Sequence, residues 1–430
     1  MAAVIAAPAS GSGKTLLSLA LLSWARSCNR TIQAFKVGPD YLDPQLLSMA
    51  SGRPCRNLDL NLCGDAWVKG AFHSYGGSCE LSLVEGVMGL FDGIGSSSRG
   101  STAAVAHWLG LQLNLAGVVL NRVSSQRHQD LLADVLDSMG MPLLGCLPRS
   151  DLLSLPSRHL GLAPAHELTN AKQQCAAWAS LAEEHLDLEN LAPLLKAPEP
   201  GPNPLGDRIA NHSGELPVAV ASDAAFHFRY AETAELLERN GMPIVGWSPL
   251  SDEPIPEQAR GLILPGGFPE QHAAQLSSCN RSLRSLRQFV AQRPVYAECG
   301  GMLLLGQQLT DLQGHRHAMA GVLPFTAQRG ALQVGYRQLQ ARRESPVLAR
   351  HQQLVGHEFH RWDLTAKRPP SDGSLLWDIE GWNVQRRAEG WGDQTLHASW
   401  VHLHWASSST ICCRWRAALE AAATPLPTDS

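Results

Sequence analysis

Apolar positions along this chain come in short runs separated by longer amphipathic stretches, the pattern of strands and helices taken in turn. Residues 2–7, AAVIAA, read as a buried strand that leads through a Gly- and Ser-rich turn into an apolar helix over Leu16–Trp24. Thr31–Gly38 and Leu81–Val87 predict two more strands. A strand over Leu115–Val123, a helix over Arg127–Met139 and a strand over Pro142–Leu147 follow, and residues 171–195 predict helix. Lys196–Glu215 then breaks the pattern: four prolines and three glycines with no apolar period predict a linker. Beyond it, Pro217–Ala221, Ile244–Trp247, Gly261–Leu264 and Pro294–Ala297 predict strands, with helices over Tyr230–Asn240 and Arg281–Ala291. From Leu323 the apolar segments shorten, as expected of β elements added to such a sheet, and the tail from Ala417 is expected to fray. The alternation predicts an α/β chain of two domains, 1–195 and 216–430, each around a mostly parallel sheet and joined by 196–215.

Composition narrows the class. A 44% hydrophobic, 17% charged chain of 430 residues is an ordinary globular protein. Its net charge of −4 provides no basic field to recruit nucleic acid or an acidic membrane. Ten scattered cysteines include no C-x-x-C pair, which argues against structural zinc. Residues 1–7 are too short for a signal peptide and no apolar run approaches about twenty residues, so a cytoplasmic location is the expectation. Oligomeric state is left open, a homodimer included.

Two stretches carry candidate chemistry. In the first, Pro8-Ala9-Ser10-Gly11-Ser12-Gly13-Lys14-Thr15 stands between strand and helix, where turn amides and a helix N-terminus face an anion. The usual first glycine of G-x-x-x-x-G-K-T is replaced by Pro8, yet Gly11, Ser12, Gly13, Lys14 and Thr15 remain to bind ATP as a P-loop. Lys14 would reach the β/γ-phosphates and the Thr15 hydroxyl would bind Mg²⁺. Glu85 interrupts an apolar strand, and a buried carboxylate there is costly unless a metal or partner compensates it. Asp40 lies just past the end of a strand, where open α/β sheets bind ligands. Thr15, Asp40 and Glu85 are therefore the Mg²⁺ candidates. Asp40, Leu42 and Asp92 are the substrate candidates; Asp92, in a loop, reads equally as a turn residue.

The second stretch is Pro294–Gln307, PVYAECGGMLLLGQ, a strand turning sharply through Glu298-Cys299-Gly300-Gly301 into an apolar helix. A nucleophile on such a turn stands clear of both elements, and the Gly300 N–H that follows can point at an oxyanion. A free cysteine is otherwise a small buried hydrophobe. Upstream, Gly261–Glu270, GLILPGGFPE, ends a strand in a Pro-Gly-Gly turn. The pair resembles the class I glutamine amidotransferases, in which such a turn supplies the second oxyanion donor, here Gly267.

At full length the resemblance is more specific. APASGSGKT, FKVGPDYLDP, GRPCRNLD, LVEGVMGLFDG, LPSRHLGL, AFHFRYAE, LPGGFPE, AECGG, GHEFH and ASWVHLHW occur in the order found in the cobyrinate a,c-diamide synthases. The resemblance implies a dethiobiotin-synthetase-like ATP domain followed by a glutaminase. It also implies ATP- and glutamine-dependent amidation of two acetate side chains of a corrin precursor. Hydrogenobyrinate or nickel-sirohydrochlorin could serve the same chemistry, and a partition-type ATPase is a rival that the Cys299 stretch speaks against. By the same resemblance Asn121 would contact adenine and His402 would be the base for Cys299, although strand-end capping explains Asn121 equally well. Many class I glutaminases place a glutamate two residues after that histidine; here His404 stands there, so the orienting group is unidentified. Two residues apart on a strand, His402 and His404 are expected to share a face.

One departure concerns the ATP half. After Gly100–Gly110 the chain passes through Leu111–Asn114 straight into LAGVVLNRV, where the family pattern has a further strand and helix. A unit of roughly 30 residues is absent. Losing a parallel strand leaves its neighbours either to close ranks or to expose unpaired backbone. The expectation is a first domain one strand short, with weakened ATP-dependent amidation, or a paralogue retaining only glutaminase or binding.

Overall fold

A computed structural model describes residues 2–111, 114–149, 157–158, 161–162, 164–168, 170–206, 214–366 and 375–423. The chain divides into two compact units, Met1–Gly206 and Asp207–Ser430. Parts of the LPSRHLGL motif, of the Leu111–Asn114 junction and of the 196–215 stretch lie outside the described residues.

In the first unit, β1 (Ala3–Ile5), β2 (Ile32–Val37), β3 (Arg56–Leu58) and β4 (Leu81–Glu85) form a parallel sheet in the order β1-β4-β2-β3. β5 (Val118–Val123) and β6 (Leu143–Pro148) pair in parallel as a separate two-stranded sheet. β7 (Ser157–Arg158) and β8 (Gly161–Leu162) pair antiparallel. No ladder joins β5 to β1 among the described residues. The single parallel sheet expected of this unit is therefore in two pieces. Burial follows the break. β2 and β4 are buried throughout, whereas β5 has no buried residue. Trp108, Leu115, Leu131, Val135 and Met139 are exposed, the last at 70%. They belong to the helix Thr102–Trp108, the connection after it, and the helix Gln126–Ser138 with the turn that ends it. The helix Lys14–Ser27 packs with Ala171–His185 over the intact sheet, with Trp178 wholly buried between apolar neighbours.

The proline-rich segment is fixed to this unit as far as Gly206. Gly201 N–H donates to the His73 carbonyl, and the His73 ring meets the Glu199 carbonyl at 2.9 Å. Residues 196–206 are thus not free chain, contrary to the reading of the whole stretch as a linker.

The second unit is built on one continuous sheet. β9 (Val218–Ala221), β11 (Ile244–Trp247), β12 (Gly261–Leu264) and β14 (Val295–Glu298) run parallel, and β10 (Phe226–Phe228) pairs separately with β13 (Gly266–Gly267). Beyond these come β15 (Gln308–Thr310), β16 (Arg316–Ala318), β17 (Phe325–Ala341), β18 (Gln353–Ala366), β19 (Leu375–Gly381), β20 (Val384–Gly392), β21 (Leu396–Ser399) and β22 (Val401–His402). The order β11-β9-β12-β14-β21 then continues through antiparallel β20, β19 and β17. Wholly buried Trp247, Trp377 and Trp415 anchor the two sides. The C-terminal helix extends to Ala423 with Leu419 in the core, so the tail does not fray from Ala417 as its composition suggested.

Candidate active site

The elbow at Cys299 has the geometry its sequence implied. Four buried residues, Val295–Glu298, form the strand, and the helix Gly300–Leu305 begins directly after the cysteine. Cys299 itself adopts φ 49° and ψ −112°. That is a strained conformation for a residue with a side chain, costing about 1–3 kcal/mol, and such strain concentrates at functional sites. The Cys299 N–H donates to the Ser399 carbonyl at 2.7 Å, and its thiol reaches the Phe359 carbonyl at 3.6 Å.

Gly267 and Gly300 lie together, since a Cβ on Gly300 would stand 3.0 Å from the Gly267 nitrogen. Only glycine fits at 267, where a Cβ would be 2.1 Å from the Ala225 carbonyl oxygen. This assigns a part to AFHFRYAE: β10 clamps the Gly266–Gly267 turn from behind. His402 lies over the same turn, its Cε1 2.6 Å from where a Gly266 Cβ would be. Burial alone would lower the pKa of His402, but Cys299 and then Glu298 outweigh it and raise it to about 10. The Glu298 carboxylate is 3.4 Å from His402 Nδ1.

His404 does not share this face. β22 ends at His402, so strand alternation does not extend to residue 404. His404 packs on Tyr230 and faces the buried Glu232 at 3.5 Å. In GHEFH, His357 pairs with His402 across β18 and β22 and is held to a pKa of about 3, first by burial and then by the charge on His402. Buried Glu358 accepts from Arg337 at 2.6 Å, His360 at 2.9 Å and the exposed Arg387 at 2.7 Å, contacts that fix this strand beside the thiol.

In the first unit the loop Pro8–Thr15 leads into the helix Lys14–Ser27, with Gly13 at φ 99°. Lys14 Nζ donates to the carbonyls of Ala9 and Met88. The Thr15 hydroxyl donates to Glu85 Oε1 at 3.0 Å. Lys36, which the sequence reading passed over as part of a strand, is buried and donates to Glu85 Oε1 at 2.7 Å and Asp43 Oδ2 at 2.6 Å. Burial would lower its pKa, yet Glu85 and Asp43 hold it raised and charged. Glu85 Oε2 is buried and has no partner among the described residues. A hydroxyl beside an unspent carboxylate oxygen is a donor set that fits a hard cation such as Mg²⁺.

Asp40 joins this pair less directly than expected. Its Oδ1 accepts from Leu42 N–H at 2.8 Å and Asp43 N–H at 3.4 Å, capping its own turn, and it makes no hydrogen bond to Thr15 or Glu85. Burial, then the neighbouring Asp43, push its pKa up to about 7. Among the described residues no three acidic, His or Cys side chains group as a metal site. Asn57, from GRPCRNLD, pins the Asp40 turn through the Gly38 and Asp40 carbonyls. Leu42 is buried, and exposed Asp92 accepts from Gly89 N–H at 2.8 Å, the role of a turn residue. Asn121 Nδ2 donates to the Ser12 carbonyl at 2.9 Å, holding the phosphate loop from β5, while its buried Oδ1 is without a protein partner among the described residues.

Comparison with known proteins decides the family. Residues 3–162 match a CobQ/CobB/MinD/ParA nucleotide binding domain, and residues 217–410 a CobB/CobQ-like glutamine amidotransferase domain. A cobyrinate a,c-diamide synthase of Synechocystis sp. is 38% identical over 97% of this chain and 93% of its own length. The chain belongs to the cobyrinate a,c-diamide synthase family. A second member named so, from Gloeobacter violaceus, is 38% identical over 96% of both chains. The hydrogenobyrinate a,c-diamide synthase of Streptomyces coelicolor is 35% identical over 96% of each. The Synechocystis alignment spans 454 positions, more than the 430 residues here, so this member of the family carries gaps against its relative. Both halves of a glutamine-hydrolysing, nucleotide-binding ligase are present. No helix among the described residues is long and apolar enough to cross a membrane.

Proposed function

We propose that this chain amidates the a and c acetate carboxylates of cobyrinate, taking nitrogen from glutamine and driving force from ATP in the cytoplasm. The observation that carries the reading is the Cys299 elbow, with the paired Gly267 and Gly300 turns and His402 around it. Cys299 passes its proton to His402 and adds to the glutamine δ-carbonyl. The Gly267 and Gly300 amides take the oxyanion. As the carbon–nitrogen bond breaks, His402 returns the proton to the departing ammonia, leaving a thioester. Water, deprotonated by His402, then releases glutamate and the free thiol.

In the other unit Gly11, Ser12 and Gly13 cradle phosphate while Lys14 leaves its resting carbonyls for the β/γ-phosphates. Thr15 and Glu85 would hold Mg²⁺, with Asp40 on the adjoining turn; the ion supplies neutralisation of phosphate charge. Asn121 keeps the loop in shape, and its free Oδ1 suits an adenine amino group. A substrate carboxylate, received near Asp40, Leu42 and Asp92, attacks the γ-phosphorus to give an acyl phosphate and ADP. Ammonia then displaces phosphate, a far better leaving group than hydroxide.

The test supplies cobyrinate, ATP and glutamine labelled with heavy nitrogen at the amide, and reads label in the product by mass spectrometry. Two labelled amides per macrocycle are expected. Label only in free ammonia would sink the reading and leave a glutaminase. Hydrogenobyrinate in a parallel reaction identifies which macrocycle is preferred.

A further inference from the structure

We propose that Glu298, the residue immediately before the nucleophile, is the positioning carboxylate for His402. A catalytic imidazole needs its distal nitrogen engaged so that ring orientation and tautomer are fixed and the imidazolium is stabilised. In many relatives of this glutaminase class a glutamate two residues after the histidine does this; here that position is His404, committed to Glu232 and Tyr230. Glu298 supplies a carboxylate from the opposite direction, out of the elbow itself. Its Oε2 is 3.4 Å from His402 Nδ1. The same oxygen accepts from the Tyr296 hydroxyl at 3.2 Å and from the Leu403 N–H at 3.3 Å. Those two donors restrict the carboxylate to one place, and both neighbour the machinery: Tyr296 is on the strand below Cys299, and Leu403 follows His402.

Buried as it is, Glu298 is costly to retain without a charged partner. The strand order provides one. Glu298 ends β14 and Cys299 follows it directly, so one turn brings both the nucleophile and the carboxylate to the same imidazole. His357, across β18 and β22, also faces His402, and burial and the His402 charge keep it neutral. The inference rests on Cys299 and His402 being nucleophile and base, and the experiment separates the two claims.

Glu298→Gln keeps the size and removes the charge. Glutamine hydrolysis should fall by about a hundredfold or more in kcat with KM little changed. The upper limb of the pH–rate profile should also move toward neutrality, because an imidazolium otherwise held to about pH 10 would lose its proton sooner. Glu298→Asp restores the charge and should recover part of the rate and most of the limb. An unchanged profile and rate in Glu298→Gln overturns the proposal. So does a Glu298→Asp variant no better than Glu298→Gln while both melt like the parent. Should Glu298→Gln fail to fold, Glu298→Asp alone decides: full parental rate from a carboxylate drawn back by one methylene would show that position is irrelevant. Cys299→Ala, run alongside, abolishes hydrolysis if the underlying site reading holds; retained hydrolysis there refutes that reading instead.

Discussion

Both units carry a glycine-rich turn at the end of a parallel strand, with very different amounts of support. Around Cys299 the strand has β12 on one side and β21 on the other, all buried, and every glycine turn is backed by another strand. Around the phosphate loop β1 has, among the described residues, a ladder only toward β4, and the loop is otherwise held by individual hydrogen bonds, from Asn121 on a separate two-stranded sheet and from Lys14 to the Ala9 and Met88 carbonyls. A parallel strand held on both edges fixes the loop that follows it; one held on a single edge relies on side chains. Catalytic geometry is sensitive to displacements near 1 Å, about a hundredfold in rate. Glutamine hydrolysis is therefore expected to outpace ATP-dependent amidation in this chain. Measuring both half-reactions on the same preparation checks this, and tight one-to-one coupling at full rate would break the comparison.

The largest single effect is expected at the thiol. Cys299→Ala should cost glutamine hydrolysis about a thousandfold or more while synthesis from added ammonia persists. Equal loss of both activities would mean the elbow supports the fold rather than the chemistry. Next is the buried trio of the first unit. Glu85→Gln should lower ATP turnover by about a hundredfold and leave glutaminase alone. Lys36→Met leaves Glu85 and Asp43 without their shared cation and should destabilise the first unit by about 3–5 kcal/mol, read as an early melting transition. A smaller loss is expected from Gly267→Ala. The added methyl would lie 2.1 Å from the Ala225 carbonyl, so β10 must move. The expected cost is about 1–3 kcal/mol together with slower thioester formation.

How much of this was legible beforehand divides along the same line. Motif order disclosed the family, and the apolar runs marked the strands that carry Glu85 and Cys299, because a buried strand followed by a glycine turn is a local signal. Lys36 escaped notice since a lysine inside a strand reads as solvent-facing until Asp43 and Glu85 are seen around it. Glu298 reads from sequence only as part of the elbow, because pairing with His402 depends on strand order across the sheet and not on spacing. His404 misled for a related reason: two-residue periodicity holds only while the chain remains a strand, and it leaves at His402. The short segment after Gly110 reads as a deletion, but whether a sheet closes or splits depends on the competition between ladder formation and the existing packing of β5, which no local pattern shows.

The last and smallest effect tests that split directly. Leu131 and Val135 lie on the helix Gln126–Ser138, which has no buried residue, at 57% and 55% exposure. Apolar side chains that water already reaches gain nothing from folding, so Leu131→Gln and Val135→Gln should shift stability by no more than about 0.5 kcal/mol in either direction. Trp178→Ala, in the packed core of the same unit, should cost about 3–5 kcal/mol by contrast. Helix propensity hardly separates Leu from Gln, which removes the main competing term. If the two surface changes instead lower the melting temperature of the first unit by several degrees, those residues are covered in solution, and this apolar surface is buried against something. Dependence of that loss on protein concentration would identify the cover as a second copy of the chain, since only association is shifted by mass action.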